Sequence, residues 1–223
     1  MSASGLLGLL SLILLSYLAG SFPTSILVGR LFFGLDIRTK GSGNAGGTNS
    51  FRVLGWKAGL LVVIVDVGKG AVAALFIAPL GRAAGLPPEF LGLLAGAMAV
   101  VGHVWTVFAG FRGGKGVATA AGALVVLAPL PIGIAALVFA LVLFSTGIVS
   151  LASMSAALSF PLALLGLGLL GLPPSPWLLG FALILAPLIF LTHRSNIARL
   201  LRGGENRFEH LILWKRLSKA SRK

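Results

Sequence analysis

Three polar stretches interrupt an otherwise apolar chain, and each carries groups suited to holding an anion. The first, residues 36–52, sets Ser42, Asn44, Thr48 and Asn49 among Gly41, Gly43, Gly46 and Gly47, with Arg38, Lys40 and Arg52 around them. Backbone amides of such a loop can turn inward as a nest for phosphate oxygens. Arg52 is expected at the start of the second membrane helix, where the helix dipole adds to its charge. The second stretch, residues 102–119, flanks Gly113 and Gly114 with Arg112 and Lys115 just ahead of a helix, which again suits an oxyanion or phosphate. In the third, residues 193–205, His193 and Asn196 lie three apart and share a face if the helix continues. Arg199 and Arg202 extend that stripe, and Arg194 and Glu205 complete the segment.

Simpler readings compete at each place. A basic tail snorkelling to anionic lipid accounts for Lys215 to Lys223 but poorly for His193, Asn196 and Glu205. His103, inside an apolar run, suits a helix–helix hydrogen bond. Asp66 and Lys69, three apart in another run, fit either a neutralising pair or the lining of a water-filled substrate cavity. Two strings imitate nucleotide motifs. Gly41-x-Gly43-x-x-Gly46, with Asp66 twenty residues on, lacks the strand that a dinucleotide fingerprint requires. Gly113-Gly114-Lys115-Gly116 lacks both the leading glycine, since residue 109 is alanine, and the Ser or Thr after the lysine.

The elements that must position these groups are membrane helices. The 223 residues are 57% hydrophobic and only 10% charged, with a mean hydropathy of +1.02, whereas a soluble domain carries about a quarter charged residues. With no cysteine, a disulfide framework, a Cys-ligated zinc and a thiol nucleophile are excluded. Because a span needs about 20 apolar residues, the chain reads as an all-α integral membrane protein, one domain of seven spans. These are expected near 5–33, 56–80, 89–108, 117–128, 132–148, 151–170 and 177–192, followed by a basic tail, 193–223. Ala128-Pro129-Leu130-Pro131 reads as a sharp connection, because proline removes a helix donor and restricts its neighbour. Lys and Arg number 18 against five acidic residues, for a net charge of +13. Fourteen of those bases fall in 34–55, 109–116 and the tail, and only Arg82 falls in the segments on the other side. The positive-inside rule then puts the N-terminus outside, and the tail with all three polar stretches in the cytoplasm.

Taken together, GSGNAGGTNSFR (41–52), GHVWTVFAGFRGGKGVAT (102–119) and HRSNIARLLRGGE (193–205) resemble the bacterial acyl-phosphate:glycerol-3-phosphate acyltransferase family, called PlsY. YLAGSFP (17–23), DIR (36–38) and DVGKG (66–70) fit as well, in the same order and spacing. Ala45 stands where that family usually has proline, Gly47 where it has alanine, and Trp105-Thr106 where it often has Phe-Pro. The resemblance implies transfer of a fatty acyl group from acyl phosphate to the 1-hydroxyl of sn-glycerol 3-phosphate at the cytoplasmic face of a bacterial inner membrane. It implies no cofactor, metal, nucleic acid or obligate protein partner, and membrane lipid around the protein. Ser42, Thr48, Asn49, Arg52 and Lys115 are then expected to cradle the acyl phosphate, with Gly43, Asn44, Gly46, Gly113, Gly114 and Ser150 beside the substrates. His193 and Asn196 would orient glycerol 3-phosphate, with Lys69, Arg112, Arg194 and Glu205 assisting. The His-x4-Asp pattern of other glycerophosphate acyltransferases is absent: Phe108, Ala198 and Lys215 stand five residues after the three histidines. A transporter or channel for small phosphorylated anions is the alternative, which basic loops at broken helices would also serve.

Overall fold

Every regular element among residues 2–212, which the computed structural model describes, is a helix. The chain divides into two compact units, residues 1–129 and residues 130 onward. The basic residues Lys215, Arg216, Lys219, Arg222 and Lys223 lie outside the described residues.

In the first unit, α1 (Ala3–Ser21) and α2 (Thr24–Phe33) form one apolar run of 31 residues. The run was expected as one helix but breaks at Phe22-Pro23, because Pro23 has no amide proton to continue the ladder. A short 3-10 turn, Ile37–Thr39, leads through the glycine loop to α3 (Gly47–Val53). Gly55, at φ 91°, makes the corner into α4 (Trp56–Val72). That helix loosens into a π turn, Ala73–Ile77, and a 3-10 turn, Ala78–Ala84, around Pro79, whose ring cannot sit in a regular α ladder. Then come α5 (Pro88–Val104) and α6 (Val117–Leu127). Helix α5 stops four residues before the expected end of its span.

Packing in this unit relies on missing side chains. A methyl group on Gly20 would strike the backbone of Ala99, and one on Gly102 the carbonyl of Tyr17, so α1 and α5 lie backbone to backbone. Gly70 and Gly122 bring α4 against α6 in the same way, meeting Thr119 and Val67. Helices in lipid gain nothing from hiding leucine from leucine, so close approach over small residues is what associates them. Leu12, Ala73, Leu91, Ala95 and Ala99 fill one buried cluster. Ile26, Ile37, Ala58 and Val62 fill another, beneath the glycine loop.

The second unit comprises α7 (Pro129–Thr146), α8 (Val149–Leu169), α9 (Pro176–Thr192) and α10 (Arg194–Leu201). The expected connection at 128–131 is largely helix: Pro129 and Pro131 occupy the first turn of α7, where amide donors have no partner in any case. Helix α7 buries only Pro131 and Ala135, leaving the rest of its apolar surface outward as for a lipid-facing helix. Helix α8 packs against α9. The chain bends by 60° at His193 between α9 and α10. Among the described residues, five helical stretches are long and apolar enough to cross a membrane, or six with α9 and α10 as one bent span. Helix α6, with eleven residues, is about 16 Å long against a hydrocarbon core of about 30 Å.

Candidate active site

The first glycine loop is built around Asn49. This residue is 1% exposed, and its amide meets the loop three times. Its Oδ1 accepts the Ser42 amide at 2.9 Å, and its Nδ2 donates to the Ile37 and Lys40 carbonyls, each at 3.0 Å. The loop therefore wraps a buried side chain rather than hanging free, with Gly41 and Gly43 at positive φ turning it. Several amides expected to form an anion nest are already engaged: Gly43 donates to Lys40, and Gly46 to Asn44. Ser42, Asn44 and Thr48 are half-buried, and Gly46 caps α3. Arg52 lies in the last turn of α3, one corner before α4. Its expected place at a helix N-terminus is thereby corrected, because the sequence pattern did not separate this short helix from the next.

The second segment returns to the end of α5. Gly113 and Gly114 donate to the Val104 and His103 carbonyls, both at 3.0 Å, and so satisfy acceptors that the helix end leaves open. Their amides are thus helix caps. Lys115 is half-buried, and Arg112 is exposed. Phe111 holds φ at 58°, a region few residues without glycine's freedom occupy. The segment is braced from α1: the Tyr17 hydroxyl donates to the Trp105 carbonyl at 2.8 Å, and the Thr106 hydroxyl to that of Ser21. It also lies against the first loop, since a methyl on Gly114 would meet the Ala45 carbonyl as well as the His103 ring.

Beneath both stretches sits a buried polar cluster. Asp66 Oδ1 accepts from Lys69 Nζ at 2.6 Å and from the Thr24 hydroxyl at 3.2 Å, and His103 Nδ1 lies 3.7 Å from it. The three ionisable side chains are all less than a tenth exposed. They line a narrow cavity with Thr24, Gly113 and Gly114. Of the two readings that spacing left open, Asp66 and Lys69 form the neutralising pair. The place of His103 beside them was not legible, because it comes from a helix remote in sequence.

Asp36, at the rim of the first loop, holds Arg38 through Nε at 3.0 Å, Nη2 at 2.8 Å and the Arg38 amide at 3.0 Å, and also holds Arg30 at 2.9 Å. The Arg38 guanidinium, aided by its amide and Arg30, keeps the Asp36 carboxyl well below the usual carboxylate range, although partial burial opposes this. The same bond raises the pKa of Arg38. Arg38 was grouped with the phosphate-facing bases, yet its remaining nitrogen, Nη1, donates to the Ala109 carbonyl at 2.8 Å.

The second unit has its own hub. Glu205 Oε1 accepts from Asn196 Nδ2 at 2.7 Å and from the Ser150 hydroxyl at 3.1 Å, while Oε2 accepts from Arg199 Nε at 2.7 Å. Ser150, at the start of α8, is thereby tied to α10. His193 is 2% exposed, and its Nδ1 lies 2.7 Å from the Ile189 carbonyl. A carbonyl only accepts, so Nδ1 carries a proton. Arg194 is exposed. Asn196 and Arg199 share the inner face of α10 as their spacing predicts, but His193 precedes that helix and Arg202 follows it.

Comparisons with known proteins place the chain in a family. The family model described as glycerol-3-phosphate acyltransferase matches residues 10–203. The glycerol-3-phosphate acyltransferase of Chlorobium phaeobacteroides (strain BS1) is 48% identical over 225 aligned positions, covering 89% of this chain and 96% of the relative. That of Chlorobaculum parvum is 47% identical, covering 91% and 97%. Among solved structures, PlsY (YgiH), an integral membrane glycerol 3-phosphate acyltransferase, superposes in its glycerol 3-phosphate form with a TM-score of 0.79 at 38% identity, covering 91% of this chain and 96% of that one. Its lysophosphatidic acid form gives 0.76 at 36%. Nothing in these likenesses supports a phosphate transporter. With a family model spanning most of its length and relatives nearly half identical end to end, the chain belongs to the glycerol-3-phosphate acyltransferase family of integral membrane proteins.

Proposed function

We propose that the acyl donor is acyl phosphate, and that the chain moves its fatty acyl group to the 1-hydroxyl of sn-glycerol 3-phosphate. The hydroxyl oxygen bonds to the acyl carbon, the bond from that carbon to the phosphate oxygen breaks, and lysophosphatidic acid and inorganic phosphate leave. The observation that carries the reading is the packing of two cationic, glycine-rich segments against each other in the first unit, with Gly114 against Ala45. Both substrates are phosphate esters or anhydrides, and such a pair of segments suits them. Acyl phosphate is a mixed anhydride with a good leaving group, so alignment and charge neutralisation suffice.

In this reading Ser42, Thr48, Arg52 and Lys115 contact the acyl phosphate, and Asn49 shapes their loop together with Gly43, Asn44 and Gly46. Gly113 and Gly114 set the direction of Lys115, with Arg112 and Lys69 adding positive charge. His193 orients glycerol 3-phosphate. Asn196, Ser150 and Glu205 keep that part of the second unit in shape, and Arg194 adds charge. The hydroxyl proton passes to the departing phosphate, which gains basicity as the acyl bond breaks.

We also propose that the chain works as one membrane domain in a bacterial inner membrane. It would cross seven times, with α6 as a short crossing, the N-terminus outside, and the substrates bound from the cytoplasm without an obligate protein partner. The charge asymmetry of the sequence supports that orientation. The test is incubation of purified protein with labelled glycerol 3-phosphate and palmitoyl phosphate, palmitoyl-CoA or palmitoylated carrier protein. Lysophosphatidic acid is expected with palmitoyl phosphate alone. Product from either of the other donors, or from none in folded protein, removes the reading.

A further inference from the structure

Arg38 joins the two stretches that the proposed reaction depends on. One edge of its guanidinium is held by both oxygens of Asp36, at 3.0 and 2.8 Å. The third nitrogen reaches across 71 residues to the Ala109 carbonyl at 2.8 Å. Asp36 is itself fixed, because it accepts the Arg38 amide and Arg30 and so caps the 3-10 turn that opens the first loop. Ala109 closes the turn that directs residues 110–115 back toward α5. Each end has its own anchor, Asn49 inside the first loop and the Tyr17 and Thr106 hydroxyls for the second segment, but none of these bonds crosses from one stretch to the other, as the Arg38 bond does.

We propose that Arg38 is a positioning residue, which together with Asp36 clamps the loop carrying Ser42, and leading into the helix of Arg52, to the segment carrying Lys115. Three of the five N–H donors of the guanidinium, one on each nitrogen, are engaged in this clamp, which fixes its plane between the two stretches. The planar fork is required. Lysine offers one nitrogen, which cannot grip a carboxylate at two points and a distant carbonyl together. The effect on turnover rests on the reading of these two stretches as the acyl-phosphate site, whereas the clamp itself is independent of it.

The chain has no cysteine, so spin labels can be placed at will. Lys40 and Val107 are exposed, lie on the two sides of the clamp and belong to neither end of it. The experiment measures the distance distribution between labels on Lys40→Cys and Val107→Cys, in otherwise wild-type protein and with Arg38→Ala, Arg38→Lys or Asp36→Asn. Acyl transfer and the melting midpoint are followed in the same variants. A narrow distribution is expected in the parent and a broad one in all three variants. Loss of kcat is expected at roughly ten- to hundredfold, because a displacement near 1 Å is enough for that. Millimolar guanidinium chloride should restore part of the activity of Arg38→Ala, and should narrow its distribution, but should do nothing for Asp36→Asn. An unchanged distribution in Arg38→Ala and Arg38→Lys overturns the clamp, as does activity loss that merely follows the melting midpoint. Arg52→Ala is the control for the underlying reading. If it keeps full turnover while Arg38→Ala broadens the distribution, the site assignment fails and the clamp stands.

Discussion

His193 is held by its own helix before any substrate arrives. The Nδ1–Ile189 bond decides which ring nitrogen is presented, and burial excludes most alternative rotamers. A ring fixed in this way can donate or accept through Nε2, and two variants separate the roles. In the orienting role, His193→Asn should keep most of kcat, while His193→Ala should lose mainly through KM. Loss of kcat by about 10²–10⁴ in both variants, with KM unchanged, would instead make His193 the general base. Asp36 offers a pH test. Its carboxyl is depressed by Arg38, so its stabilising effect is complete above the unfolded value of about 3.9 and disappears only as pH falls through the lower folded value. The difference in melting midpoint between wild type and Asp36→Asn should therefore stay constant from about pH 8 to pH 5. A difference that shrinks over that range would show that Asp36 does not carry the charge.

Among the helices, the first unit is organised by glycine contacts and one buried ion pair. Gly70 on α4 touches the backbone of Thr119 on α6, with no room for a side chain. Gly70→Leu should destabilise the protein by at least about 1–3 kcal/mol through overpacking, read as a lower midpoint in detergent. Exposed Gly204 has open space around it, and Gly204→Ala serves as the control. The Asp66–Lys69 pair ties α4 to Thr24 of α2, beside His103 of α5. Asp66→Asn alone leaves a buried ammonium without its counter-charge and should cost about 3–5 kcal/mol, whereas Asp66→Asn with Lys69→Met should recover most of that stability. Additive losses in a double-mutant cycle would mean that the two groups do not neutralise each other.

For the molecule as a whole, the decisive property is which face of the membrane the polar stretches meet. Lys40 is exposed in the first glycine loop, and Leu172 is exposed in the turn between α8 and α9. With an impermeant thiol reagent, Lys40→Cys should react only after the membrane is opened, and Leu172→Cys should react in intact spheroplasts. Reaction of both from one side would overturn the proposed topology. Ser50, which also lies in the first polar stretch, is unsuitable for such labelling because it is fully buried, with its hydroxyl bonded to the Gly46 carbonyl.

The sequence by itself determined the solvent, the helical class and the three polar stretches. Those properties are local: an apolar run of sufficient length must satisfy its backbone internally in lipid, and charge asymmetry acts loop by loop. It also placed Asn196 and Arg199 on one face, since a helix repeats every 3.6 residues. Proline chemistry accounts locally for the breaks at Pro23 and Pro79, whereas Pro129 and Pro131 begin a helix instead of interrupting one, and that choice is seen only in the structure. The same holds for the functions of individual polar groups. Asn49, Gly113 and Gly114 satisfy backbone groups, Arg38 bonds Ala109 as well as Asp36, and Asp66 meets His103 from another helix. Each of those partners is remote in sequence or hidden in the path of a loop. No spacing rule reaches that far, because the pairing follows from which backbones the glycines allow to touch.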